Sequence, residues 1–284
     1  MECVADVSAI LGEGPVWVEA ERAVYWVDIV GKQLFRWSAA DGLRTLDLPV
    51  HLCSIVPSAG GGYIGAGYDG FVFIGPDLQI SPHGNPEPEL PENRFNDGKV
   101  DRSGRFWAGT MDRAEQAESG SLYRLDPDLR WQRMDSGYRV TNGPAFSING
   151  TMMYHTDSAL QRIYAFDIGA DGTLANKRVL AQFGDGDGYP DGMTVDADDC
   201  LWVAFWGGWC VRSLSSAGEV ICKIEVPVAY PTSCAFGGDD LDQLFITSAS
   251  RDLTLEDRAL QPQAGGLFRC NPGVRGVAEL PFAA

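Results

Sequence analysis

A single phrase recurs along the chain: a turn containing Gly or Pro, a short apolar run, an Asp/Gly/Asn turn, an aromatic run, and a closing run ending in Leu-x-Arg, Ile-x-Ala or a close variant. Anchored at its opening turn, the phrase falls on Pro15, Ser54, Asp97, Gly143, Asp191 and Thr232, at intervals of 39 to 48 residues. A period of about 40 to 50 residues is that of four-stranded blades, each of which buries its faces only by stacking on its neighbours. Six anchors predict an all-β six-bladed β-propeller, with 1–284 as a single domain and about 47 residues per blade. The first strand, around Cys3 to Ile10, is expected to pair with the last blade and so leave only short, protected edges. A β-sandwich with regular turns is the rival architecture, but it would need no such period.

The runs between turns are rich in β-branched and aromatic residues. Ala23–Val27, Gly70–Ile74, Gly104–Ala108, Met152–His155, Arg162–Phe166, Cys200–Ala204 and Asp242–Ile246 each read as a strand of four or five residues. No stretch of about a dozen residues places apolar positions at i, i+3, i+4 and i+7, so helix is nearly absent from the prediction. The 34 glycines of 284 residues are spread evenly and do not gather in a linker.

Charge narrows the partners. With 39 acidic against 22 basic residues the net charge is −17, which repels both a phosphate backbone and an anionic membrane. The N-terminus, Met1-Glu2-Cys3-Val4-Ala5-Asp6, lacks the basic region and apolar run of a signal peptide, so a cytoplasmic chain without nucleic-acid or membrane partners is expected. Seven cysteines at 3, 53, 200, 210, 222, 234 and 270 form no C-x-x-C pair and read as buried reduced thiols. Three scattered histidines, His51, His83 and His155, argue against a site built on several imidazoles.

Two motifs fail on context. Gly65-Ala66-Gly67-Tyr68-Asp69-Gly70 matches G-x-G-x-x-G but precedes a strand and not a helix, so it reads as a hairpin turn. Asp185-Gly186-Asp187-Gly188-Tyr189-Pro190 begins like a calcium loop but carries Tyr at the third ligand position, followed by Pro. The informative polar residues sit at the blade openings, in Leu11-Gly12-Glu13-Gly14-Pro15, Arg94-Phe95-Asn96-Asp97-Gly98, Thr141-Asn142-Gly143-Pro144 and Tyr189-Pro190-Asp191-Gly192. In a propeller, equivalent openings converge near the channel, which makes Glu13, Asn96, Asn142 and Asp191 a candidate cluster of oxygen donors of the kind hard divalent cations prefer. Each alone is an ordinary turn residue; recurrence at one phase of the repeat sets them apart. Arg94 is either a solvated charge or a donor to substrate oxygens, and Asp97 with Lys99 reads as a structural turn pair.

These phrases, with Trp107-Ala108-Gly109-Thr110-Met111 and Tyr154-His155-Thr156-Asp157-Ser158, resemble the family of senescence marker protein (regucalcin), gluconolactonases and other sugar-acid lactonases. Tyr154 to Ser158 with Ile163-Tyr164-Ala165-Phe166-Asp167 resembles the bacterial pentonolactonases and related aldonolactonases more than the animal protein. The resemblance implies a six-bladed propeller with one divalent cation in the central channel, whether calcium, zinc, manganese, magnesium or ferrous iron, held by Glu13, Asn142 and Asp191. It implies that Arg94 and Asn96 contact the sugar ring of a small-molecule sugar lactone, and that Asp191 also serves as general base for its hydrolysis. One departure stands out: a glutamate that some family members use near the substrate falls on Ala114, with Glu115 and Glu118 close by. The competing readings are a phosphotriesterase-like hydrolase and a non-catalytic calcium- or ligand-binding propeller.

Overall fold

The computed structural model describes residues 1–284 as six four-stranded antiparallel sheets, the blades of an all-β propeller. Blade A comprises Gly12–Val18, Ala23–Asp28, Gln33–Ser38 and Gly42–Asp47; blade B comprises Leu52–Pro57, Tyr63–Gly67, Gly70–Ile74 and Ile80–Gly84. Blade C is Asn93–Val100, Phe106–Asp112, Gly120–Leu125 and Trp131–Tyr138; blade D is Thr141–Phe146, Met152–Asp157, Arg162–Ile168 and Leu174–Gln182. Blade E is Tyr189–Val195, Leu201–Trp206, Cys210–Leu214 and Val220–Glu225. Blade F takes Pro231–Gly237, Gln243–Ser248 and Leu267–Cys270 from the end of the chain and its outer strand, Glu2–Ala5, from the beginning. All six repeat anchors fall in the first strand of a blade.

The expected N-terminal strand is shorter than Cys3 to Ile10. It stops at Ala5 because Ser8 turns the backbone left-handed at φ 50°, after which the Ile10 and Leu11 amides donate to the Asp28 carboxylate. The one α-helix, Leu255–Leu260, is six residues long and opens with a Thr254–Asp257 capping box. No helix is long and apolar enough to cross a membrane, and all seven cysteines are free.

The blades fall into two compact units. One contains Met1–His51 and Phe183–Ala278, with blades A, E and F; the other contains Leu52–Gln182 and Glu279–Ala284, with blades B, C and D. Burial follows strand position. In the first unit the first strand of blade F is buried at every residue, whereas the fourth strand of blade A is almost wholly exposed. The second unit repeats this between the first and fourth strands of blade D. First strands carry the small and polar residues of the blade openings together with single aromatics, Trp17, Phe95, Phe146 and Phe236, which meet aromatics of second or third strands of neighbouring blades.

Within the first unit, Trp202 of blade E meets Phe236 of blade F edge-on at 5.9 Å, and Trp17 of blade A stacks on Phe245 of blade F at 5.8 Å. In the second unit, Phe71 of blade B lies 4.6 Å from Phe95 of blade C, and Trp107 of blade C lies 6.0 Å from Phe146 of blade D. The C-terminal Phe282 is fully buried in that same second core, beside a bridge to Ser58. Two turns are built alike: Asp101 accepts from Trp107 Nε1 at 2.8 Å and Asp196 from Trp202 Nε1 at 2.7 Å. Each of these carboxylates also caps two backbone amides of its own turn, so the aromatic strand and the turn before it are tied together.

Close approach of first strands depends on glycine. A Cβ on Gly192 of blade E would meet Ser233 Oγ of blade F at 2.1 Å and Ser233 Cβ at 2.4 Å. Gly192→Val is therefore expected to lose about 1–3 kcal/mol or more of stability, read as a lower urea midpoint at unchanged m.

His155 is fully buried edge-on to Tyr138, with both ring nitrogens unpartnered. Burial, aided by the charge of Lys177 and opposed by Asp135, pushes its pKa down to about 3. Between that value and the ordinary 6.5 the unfolded chain binds a proton that the folded chain refuses, so stability falls as pH drops through this window. His155→Phe should flatten the dependence of unfolding free energy on pH there by up to about 1.4 kcal/mol per pH unit, measured by urea titration from pH 4 to 7. An unchanged slope would show that the imidazole is protonated in the fold.

Candidate functional site

The site residues are presented by a feature that all six blades share. In each, the first strand carries one residue more than its partner strand spans. Asn142 pairs with Thr156 while Ala145 pairs with Tyr154, and Phe95 pairs with Thr110 while Gly98 pairs with Ala108. The same one-residue slip lies between Glu13 and Val16, Leu52 and Ser54, Pro190 and Met193, and Pro231 and Ser233. These are β-bulges, which bend a strand and re-aim its side chains. Glu13 and Asn142 flank their bulges, while Asn96 and Asp191 lie inside theirs. Glycine meets the local demand, with φ of 57° at Gly14 and 73° at Gly143.

In the second unit the structure brings Arg94, Asn96 and Asn142 together in one buried chain of hydrogen bonds. Arg94 Nη1 donates to Asn96 Oδ1 at 2.7 Å and to the Phe95 carbonyl at 2.9 Å. Asn96 Nδ2 donates to Asn142 Oδ1 at 2.8 Å and to the Thr141 carbonyl at 2.7 Å. Asn142 Nδ2 completes the chain to Ser158 Oγ at 2.8 Å. Each amide is thereby held in one orientation, and Asn142 Oδ1, with two lone pairs and one bond from Asn96, retains acceptor capacity. Thr141 and Ser158 belong to this network and were not singled out by sequence reasoning, although both lie inside phrases that carry the family resemblance.

In the first unit Glu13 and Asp191 are buried on the first strands of blades A and E, with relative exposures of 5% and 7%. Glu13 Oε2 accepts from the Gly14 amide at 3.0 Å. Trp206 stacks on Tyr230 at 4.3 Å, while Trp209 and Tyr189 are about half exposed.

The Asp97–Lys99 turn pair does not form as read. Lys99 pairs with Glu279 at 3.1 Å, and the buried Asp97 carboxylate accepts from the Gly98 amide at 2.7 Å and, across to blade D, from the Gly143 amide at 3.0 Å. Burial raises the Asp97 pKa to about 6 against the nearby positive charge of Lys99 and the two amide bonds. The G-x-G-x-x-G segment is the expected hairpin, closed by pairing of Gly67 with Gly70. Its Tyr68 was missed: the Arg94 and Arg113 guanidinium carbons lie 5.3 and 5.0 Å from the ring centroid. Ala114 donates its amide to the Asp112 carboxylate, which also accepts from Gln116 and Ala117.

A cavity of 560 Å³ in the first unit, lined by Trp17, Trp37 and Phe245 among others, contains none of the sequence-derived site residues.

The family model described as the SMP-30/Gluconolactonase/LRE-like region matches residues 11–250. The chain belongs to this family. It is 37% identical over 286 residues to the 6-deoxy-6-sulfogluconolactonase of Pseudomonas putida, covering all of this chain and 98% of that protein. It is 33% identical to regucalcin of Xenopus laevis, with the same coverage. Among solved structures, a luciferin-regenerating enzyme superposes with a TM-score of 0.92 at 30% identity over 99% of both chains. A calcium-binding protein, regucalcin, of Agrobacterium tumefaciens superposes at 0.94 and 27% identity over 99% of this chain and 96% of that one. As a member of the SMP-30/gluconolactonase family, the chain shares both its fold and its full extent with sugar lactonases.

Asp97 gives this region its own test. Asp97→Ala leaves the Gly98 and Gly143 amides without their acceptor, which should cost about 1–3 kcal/mol, or more if neither amide finds water. Urea unfolding at pH 8 measures it, and a loss within about 0.5 kcal/mol would show the clip between blades C and D to be dispensable.

Proposed function

We propose that the protein is a metal-dependent hydrolase that opens a sugar aldonolactone to the aldonic acid, with 1–284 working as one propeller domain. The observation that carries this reading is the buried Arg94–Asn96–Asn142–Ser158 chain, which links a guanidinium to an oriented amide oxygen. Full-length similarity to a named sulfogluconolactonase and to other sugar lactonases supports the reaction class.

Glu13, Asn142 and Asp191 are the residues that would hold one divalent cation. The donor set fits: two buried carboxylates and an amide oxygen with a spare lone pair are all hard oxygen ligands, and two carboxylates match a divalent charge. A named calcium-binding relative supports calcium, and the same donors accept magnesium, manganese, zinc or ferrous iron. When bound, the cation supplies Lewis-acid polarisation of the lactone carbonyl and stabilises the charge that develops on its oxygen.

The protein's own groups do the rest. Asp191 takes the proton of the attacking water and returns it to the departing ring oxygen. Asn96 and Arg94 hold ring hydroxyls, converting binding energy into orientation of the carbonyl.

Glu13→Ala and Asp191→Ala should each remain folded by circular dichroism yet lose about 100-fold or more in kcat/KM on the lactone the wild type prefers. The assay is a screen of glucono-, galactono-, arabino- and xylonolactone with each metal in turn, corrected for spontaneous opening. A chelator should abolish the rate and metal restore it. Full activity in either variant would sink the scheme, and metal binding without turnover of any lactone would favour a ligand-binding propeller.

A further inference from the structure

We propose that Arg113, with Arg94 beside the same Tyr68 ring, forms a subsite for an anionic substituent on the lactone, making Arg113 a specificity-determining residue. The inference rests on the lactonase reading and concerns which lactones that site takes. All three residues lie in the second unit. Arg94 and Met111 are directly paired across the first two strands of blade C, which sets Arg113 two residues past that pair, at the same end of the sheet. Tyr68 enters from the hairpin turn of blade B.

The two cations are poorly satisfied by the protein. Arg94 is 6% exposed, and its hydrogen bonds to oxygen all leave from Nη1, so Nε and Nη2 have no acceptor. The Arg113 side chain is 39% exposed and makes no hydrogen bond within the protein; Asp69 lies at 3.8 Å, but its side chain is 91% exposed and so contributes little. The shared distance to the Tyr68 ring puts the two guanidinium carbons no more than about 10 Å apart, within a Debye length, where like charges still repel. Cation–π contact with Tyr68 offsets part of that repulsion. An anion that accepts from both would remove the rest, and planar guanidinium forks match the oxygens of a carboxylate, phosphate or sulfonate. In a chain of net charge −17, repulsion of an anionic substrate by acidic groups more than about 10 Å away is largely screened, whereas the pair acts inside that distance.

The test compares gluconolactone with its 6-phosphate and 6-sulfonate in wild type, Arg113→Gln and Arg113→Lys. The expected result is a wild-type preference in kcat/KM for the anionic lactones, carried mainly in KM. That preference should fall about tenfold or more in Arg113→Gln and be retained only in part in Arg113→Lys, which keeps the charge but loses the fork. It should also weaken as salt is raised. Calorimetric binding of gluconate against 6-phosphogluconate to the same three proteins gives a readout independent of turnover. An anionic-to-neutral ratio that is unchanged in Arg113→Gln, or absent in wild type, overturns the subsite. If wild type hydrolyses no lactone, the lactonase reading fails by itself, and the calorimetric ratio still decides whether Arg113 reads the anion.

Discussion

The structure depends on one extra residue in the first strand of every blade. A strand buried on both faces has no solvent side to which polar groups can be consigned by alternation, so every polar side chain on it must be hydrogen-bonded or must leave the ladder. The bulge provides the exit. By slipping the register once between Glu13 and Val16, Phe95 and Gly98, Asn142 and Ala145, and Pro190 and Met193, it frees one end of each strand from strict alternation while the rest stays paired. The apolar parts of the same strands go on packing against aromatic neighbours, as Phe95 does against Phe71 and Tyr123. A site of buried oxygen donors can therefore exist beside an aromatic core, because the backbone changes its pairing between the two.

Burial then dictates how the polar groups are arranged. Neutral amides can be buried at modest cost when both the nitrogen and the oxygen are hydrogen-bonded, and Asn96 and Asn142 meet that condition along a chain anchored by Arg94 at one end and Ser158 at the other. A carboxylate in the same setting behaves differently. Asp97 receives two backbone amides and still titrates near 6, so hydrogen bonds alone do not offset its desolvation. This contrast explains why a set of two carboxylates and an amide suits a divalent ion: the cation's charge supplies what amide donors cannot.

The period of the repeat and the phase of its anchors were legible in the sequence because the bulges of blades A, C, D and E carry Gly, Pro, Asn or Asp, and the runs between them carry β-branched and aromatic residues. Thus Gly70–Ile74 was read with its bounds intact, and Met152–His155 missed only the last two residues of its strand. What was not legible depends on pairs from different blades. Tyr68 and Arg113 are 45 positions apart and meet only because a hairpin tip of blade B reaches the end of a blade C strand, which no local pattern encodes. Lys99 likewise looked like a partner for Asp97 two residues away. Its partner is Glu279, from a C-terminal segment that buries Phe282 in the same unit and so fixes where that carboxylate falls. The N-terminal strand was overextended for a local reason, the left-handed turn at Ser8, which serine gives no signal of adopting.

The alanine at 114 can be placed in the same physical terms. The segment after Met111 is organised by the Asp112 carboxylate, which gathers the amides of Ala114, Gln116 and Ala117 and is held below the ordinary carboxylate range by those bonds. Its conformation is thus set by the backbone and does not depend on the side chain at 114. A glutamate there, as the family resemblance places it, would put a negative charge one residue from Arg113 and compete for its guanidinium. Alanine leaves the Asp112 turn intact, with Glu115 two residues from Arg113 and Glu118 engaged by Arg139 at 3.3 Å. An alanine at 114 therefore leaves one negative charge fewer beside Arg113 while the Asp112 turn keeps its amide bonds.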